Sequence, residues 1–236
     1  MVNCDFMEAP IVEIFSSFQG EGLLIGKRQI FIRFAGCNLS CNYCDTPKSQ
    51  KSSHGTILSV EEVMEKIDYL KTPDVHSISF TGGEPLLYTD FINEIIGKTD
   101  LNVFLETNGT LPDEIRKLKK IDIVSLDLKL QEHFENEYNL EIFEKEIETL
   151  KILIENKTNL YCKLVVLPTT KLNTIEKIAK KIVNEVNTDI SLVIQPVSPI
   201  DKWQNNIDKL FKFSEIAGKY LKVFTIPQTH KFLKID

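Results

Sequence analysis

Eight short apolar runs rich in Ile, Val and Phe recur along the chain, and segments with the apolar spacing of a helix separate most of them. That alternation is the pattern of successive strand and helix units, in which crossover helices join parallel strands. Strands are predicted near residues 11–15, 30–34, 75–80, 102–106, 121–126, 161–167, 190–195 and 222–225. Helices are predicted near 59–70, 90–97, 112–119, 141–156, 174–187 and 207–218, the first opened by Ser59 and Glu62 as a capping box. The expected fold class is α/β, either an open doubly wound sheet or a complete or partial barrel. Ligands in both sit at the carboxyl ends of the strands. The polar motifs of this chain fall there: Cys37 follows the second run, Gly82-Gly83-Glu84 the third, Thr107-Asn108-Gly109 the fourth, Asp127 and Lys129 the fifth, Gln195-Pro196 the seventh.

A chain of 236 residues without a repeat or linker is expected to form a single domain spanning 1–236. Its net charge of −6, with lysines scattered beside glutamates, argues against a nucleic-acid footprint. No apolar run is long enough for a membrane span, and the N-terminus lacks the basic and apolar regions of a secretory signal. The expected location is therefore cytoplasmic. In that reducing compartment five cysteines do not make a disulfide framework. Cys162 reads as a buried strand thiol, and Cys4 carries no assigned role.

Cys37, Cys41 and Cys44 are spaced C-x3-C-x2-C in a polar loop led by Gly36. A 4Fe-4S cluster normally takes four cysteines, so three leave one iron open to a small molecule. Structural zinc is the first rival, but it needs four ligands in paired sets, and His54 is the nearest extra candidate. Three unrelated cysteines are the second.

Cys37, Cys41, Tyr43 and Cys44 together resemble the hallmark C-x3-C-x-aromatic-C of the radical S-adenosylmethionine (SAM) superfamily. The resemblance implies a partial (β/α) barrel, a 4Fe-4S cluster on the three cysteines, and SAM chelated to the open iron and cleaved to a deoxyadenosyl radical. Thr81-Gly82-Gly83-Glu84-Pro85 looks like the GGEP motif of that superfamily, with Gly83 near the SAM methionine and Glu84 accepting from its amine. The segment from Glu13 to Gly22 containing Phe18-Gln19-Gly20-Glu21-Gly22, with Arg33, Cys44-Asp45-Thr46, Glu106-Thr107-Asn108-Gly109 and Gln228-Thr229-His230-Lys231, resembles the 7-carboxy-7-deazaguanine synthase family over nearly the whole chain.

That likeness implies rearrangement of 6-carboxy-5,6,7,8-tetrahydropterin to 7-carboxy-7-deazaguanine with loss of ammonia. Expected partners are the pterin, Mg2+, a reductant such as flavodoxin or ferredoxin, and a second copy in a homodimer. By the same likeness Phe18, Gln19, Gly20, Arg33 and Thr81 contact substrate, with Arg33 on its carboxylate and Thr46 on Mg2+. Tyr43, Asp45, Gly83, Glu84, Glu106, Asn108, Ser125, Lys129, Gln195 and Pro196 are expected on the SAM side. Many members carry Ser-Pro-Lys where this chain has Ser125-Leu126-Asp127-Leu128-Lys129, and some end in a proline whose carboxylate folds into the site, a role left here to Asp236. His230 reads as a structural hydrogen-bonder and His133 as an ordinary loop residue. A glycyl-radical activase, which shares the cysteine motif, is the alternative within enzymes; an electron-transfer or zinc module is the alternative outside them.

Overall fold

The computed structural model describes residues 7–135, 140–186 and 189–235, so Cys4 and Asp236 lie outside the described residues. The strands are β1 (Glu8–Phe18), β2 (Arg28–Phe34), β3 (Thr56–Ser59), β4 (Val75–Gly82), β5 (Asn102–Thr107), β6 (Ile123–Leu128), β7 (Asn159–Val166), β8 (Ser191–Pro196) and β9 (Lys222–Thr225). They form one open sheet in the order β3-β1-β2-β4-β5-β6-β7-β8-β9. From β2 to β9 every neighbour is parallel; β1 runs antiparallel to both β2 and β3. The helices are α1 (Val60–Leu70), α2 (Thr89–Lys98), α3 (Pro112–Lys117), α4 (Leu140–Glu155), α5 (Leu172–Val186), α6 (Ile207–Ala217) and α7 (Thr229–Leu233). This is the α/β architecture of a partial barrel expected from the sequence. None of these helices is long and apolar enough to cross a membrane.

Two elements were not predicted. β3 is only Thr-Ile-Leu-Ser, and it becomes a strand because β1 supplies a pairing edge from Glu8 to Ile11. α7 is five residues long, too short to have a readable apolar period. The capping box at Ser59 forms as predicted: its hydroxyl accepts from the Glu62 N–H while the Glu62 carboxylate accepts from the Ser59 N–H. The observed strand ends differ from the predicted ones by at most three residues, more often outward than inward, and Asp127 proved to be inside β6 instead of after it.

Strand parity divides the chemistry. Ile30, Ile32 and Phe34 of β2, Ile78 and Phe80 of β4, Val103 and Leu105 of β5, Val124 and Leu126 of β6, and Cys162 and Leu164 of β7 pack under the helices in one core. The alternate positions face the other side of the sheet: Arg33, Thr81, Glu106, Asp127, Lys163 and Gln195 lie near the carboxyl ends, above a small inner cluster of Phe104, Tyr161 and Val193. The Gly22–Leu24 turn between β1 and β2 contacts β8, although β4, β5, β6 and β7 separate β2 from β8, so the sheet curves round that inner face.

Candidate active site

Backbone hydrogen bonds fix the cysteine loop. Gly36 and Cys37 N–H donate to the carbonyls of Ser49 and Gln50 at 2.8 and 3.1 Å, and Asn42 N–H donates to His133 O at 2.9 Å. The GGEP loop docks directly beneath it, with Gly83 N–H on Phe34 O and Glu84 N–H on Gly36 O. Asn38 holds the loop to the third motif, donating to Thr110 Oγ1 and accepting from Asn108 Nδ2. His133 is fully buried and packs edge-on against Tyr43, with ring centroids 4.5 Å apart. Its Nδ1 accepts from Leu130 N–H and its Nε2 donates to Val165 O, which defines a neutral tautomer. Burial, reinforced by Lys129, pushes its pKa down to about 3. The reading of His133 as an ordinary loop residue is thus corrected: it braces the cysteine loop, and no local sequence signal announces that.

Cys37, Cys41 and Cys44 are all free thiols on the wall of one cavity of about 340 Å3. Phe18, Gln19, Gly20, Arg33, Tyr43, Asp45, Thr46, Thr81, Gly83, Glu106, Asn108 and Lys129 line the same cavity. The tertiary structure therefore brings together fifteen predicted residues from six separate segments.

Four predicted residues are not part of that lining. Glu84 is fully buried, and its carboxylate accepts from Leu86 N–H, Thr107 Oγ1 and Asn108 N–H, all near 3 Å. It joins two loops, a scaffolding role in addition to the contact with the SAM amine expected of it. Ser125 lies buried on the inner face of β6, and Pro196 ends β8. Gln195 shares the inner face with Val193, and its Oε1 is buried without a partner among the described residues.

Several polar residues of the cavity wall escaped the sequence reading, and the most connected is Lys163. Its Nζ lies 2.7 Å from Glu21 Oε2 and 3.2 Å from Asp127 Oδ1, the second an ion pair without hydrogen-bond alignment. Gln228 Nε2 then bridges Glu21 Oε1 at 2.7 Å and Asp45 Oδ2 at 2.8 Å. On the other side Lys129 Nζ lies 3.4 Å from Asp127 Oδ2 and 3.2 Å from the Tyr43 hydroxyl. Tyr43, Lys129, Asp127, Lys163, Glu21, Gln228 and Asp45 thus form a chain of polar contacts that starts and ends on the cysteine loop. The signal was present: Lys163 is the one charged residue in an apolar strand, at a parity that faces inward.

Burial alone would lower both lysines, but Asp127 and Glu21 around Lys163, and Tyr43 and Asp127 around Lys129, hold them well above the usual lysine value. Burial likewise pushes Glu21 up, yet Lys163 and Gln228 hold it down at about 2. Glu106 is raised by burial against the pull of Lys163; its oxygens accept from Gln19 Nε2 at 2.9 Å and Thr81 Oγ1 at 2.8 Å. Gln19 spends its second N–H on Gln29, and its Oε1 accepts from Glu21 N–H. Glu21, Asp45 and His230 also bring ligand-type atoms within 4.8 Å of one another, but the two carboxylates already hold Gln228 and Lys163, so the group is a hydrogen-bonded junction.

Three thiols converging on one cavity without a fourth described cysteine or paired histidine beside them fit a cluster with an open iron, not structural zinc. Such a fold and donor set define the radical SAM class, and the Radical SAM superfamily model matches residues 31–182. A curated 7-carboxy-7-deazaguanine synthase of Methanothermobacter thermautotrophicus is 46% identical over 96% of this chain and 98% of its own length. Those of Methanocaldococcus jannaschii and Archaeoglobus fulgidus are 39% and 38% identical over at least 94% of this chain and 98% of theirs. The chain belongs to the 7-carboxy-7-deazaguanine synthase family of radical SAM enzymes. Among solved structures, QueE from Escherichia coli superposes with a TM-score of 0.59 at 22% identity over 93% of this chain and 95% of that one. TYW1 with a lysine-pyruvate adduct gives 0.59 at 16% identity over 83% and 74%. At those identities the two matches describe the fold alone.

Proposed function

We propose that the chain converts 6-carboxy-5,6,7,8-tetrahydropterin to 7-carboxy-7-deazaguanine and ammonia. The observation that supports this most is that the three thiols share one cavity with Phe18-Gln19-Gly20, Arg33 and Thr46, the segments that distinguish the family from other radical SAM enzymes. The same segments, with near-full-length matches, disfavour the glycyl-radical activase. When bound, the cluster and SAM supply the radical that abstracts hydrogen from the substrate.

The residues of the chain then bind, orient and screen. Arg33 uses Nε on Glu13 at 2.6 Å, and its guanidinium lies over Phe15 at 5.7 Å, which leaves the two Nη groups for the substrate carboxylate. Thr46 would hold Mg2+ through its hydroxyl, oriented by Ser49 Oγ at 3.1 Å, and the ion would neutralise charge on that carboxylate. Gln19, held in place by its bond to Glu106, forms a fixed polar edge for the pterin, while Thr229 ties the C-terminal segment down on Gly20 O. Tyr43, Asp45, Gly83, Glu84, Glu106, Asn108, Ser125, Lys129, Gln195 and Pro196 make up the SAM side. The common core beneath the sheet supports a single domain over 1–236. The family likeness supports a cytoplasmic homodimer with flavodoxin or ferredoxin as reductant.

The test is anaerobic incubation of reduced, cluster-loaded protein with SAM, Mg2+ and the carboxytetrahydropterin. The ultraviolet absorption of the deazaguanine is expected to appear, with SAM regenerated; its absence refutes the assignment. Replacing Arg33 by Lys keeps the charge but loses the bidentate fork, so the KM for substrate is expected to rise about 10–100-fold. SAM affinity should stay unchanged. A KM within twofold of wild type would remove Arg33 from the substrate carboxylate.

A further inference from the structure

We propose that Lys163 is a positioning residue for this reaction: its buried ammonium locks Glu21 of the β1–β2 loop to Asp127 of β6, and so sets the wall against which the pterin ring is held. The inference rests on the pterin reading above.

A lysine at this depth is costly unless its charge is matched, and Lys163 is only 5% exposed. The matching comes from two places that the chain separates widely. Asp127 is its direct register partner across the parallel β6–β7 pair, while Glu21 is 142 residues away in sequence. Lys163 is the one cation among the described residues that touches both. The loop backbone is tied to the sheet through Gln19, whose Oε1 accepts from Glu21 N–H and whose Nε2 donates to Glu106 of β5, but the Glu21 carboxylate reaches the sheet through Lys163, while Gln228 holds its other oxygen from the C-terminal segment. The Glu21 carboxylate lines the cavity with one oxygen on Lys163 and one on Gln228, so each oxygen keeps a lone-pair direction for an N–H of a ligand. A pterin, rich in ring and amino N–H donors, suits such an acceptor.

Removing the ammonium changes more than packing. The charged or titratable groups facing Glu21 are Lys163 from β7, Glu106 from β5, His230 from α7 and Asp45 from the cysteine loop. With Lys163 present, Glu21 stays ionised throughout the neutral range. Without it, burial is opposed by Gln228 and His230 alone, and Glu21 takes up a proton as the pH falls.

The experiment is equilibrium binding of 6-carboxytetrahydropterin to SAM-loaded holoenzyme between pH 5.5 and 8, for wild type, K163M and K163R. Wild type is expected to show no acid limb from Glu21. K163M should bind about 10–100-fold more weakly, as expected for a misplaced wall, and weaken further toward pH 5.5. K163R should recover most of the affinity, and SAM affinity should be the same in all three. K163M that matches wild type, or that loses affinity equally at every pH without recovery in K163R, overturns the proposal. If K163M does not fold, E21Q supplies the test: its substrate binding should be weakened and flat with pH, and wild-type binding by E21Q overturns the proposal. Failure of wild type to bind the pterin refutes the functional reading itself, which separates the two failures.

Discussion

Alanine at position 83 is expected to abolish cluster loading and to lower turnover at least about 100-fold. A Cβ on Gly83 would lie 2.0 Å from Gly36 O and 2.4 Å from Ser49 O, both backbone atoms that cannot swing aside. Gly36 O is the acceptor for Glu84 N–H, and Ser49 O is the acceptor for Gly36 N–H. The methyl group would therefore break one bond that seats the GGEP loop under the cysteines and one that closes the cysteine loop itself. Gly97 provides the control, because a Cβ there meets nothing within 4 Å. G97A, in α2, should be neutral or more stable by up to about 1 kcal/mol. Iron and sulfide content, the cluster absorption and the rate report the effect. A G83A protein that loads its cluster and turns over normally would show that the two loops do not need this contact.

Truncating Glu84 to alanine is expected to cost about 3–5 kcal/mol of folding stability. The change leaves Leu86 N–H, Thr107 Oγ1 and Asn108 N–H without their acceptor in a site that water does not reach. E84Q should cost less, because its one oxygen can keep two donors while its amide N–H faces Asn108 N–H. Burial lifts the Glu84 carboxyl to about 7, against the pull of its hydrogen bonds. A carboxyl raised in the folded state loses stability as pH rises from its ordinary range through that value. The margin of wild type over E84Q should accordingly shrink between about pH 4.5 and pH 7, the two ends being the ordinary and raised values. Chemical denaturation at several pH values reads it, and a margin that widens over that interval would contradict the assignment.

Much of the candidate site was legible because the chemistry sits in short motifs. Cys37, Cys41 and Cys44 are within eight positions of each other, and Gly83, Arg33 and Asn108 each stand at a strand end. What was not legible depends on partners far along the chain. Glu84 reads only as a ligand contact until Thr107 and Asn108 are seen to bond its oxygens as well. His133 reads as a loop residue until Tyr43 is found against its ring. Lys163 reads as an interruption of an apolar strand until parity and curvature bring Glu21 and Asp127 to it.

Sequence alone determined eight of the nine strands and the six longer helices in their order, the three-thiol loop, and the strand ends at which the polar motifs gather. These follow from local periodicity and from residue types that few other structures tolerate at that spacing. Only the tertiary structure decided which polar side chains face the cavity and which hold the scaffold. A carboxylate or lysine has the same local signature in either role, and its role is settled by what donors, acceptors and charges the folded chain places within about 3 Å of it.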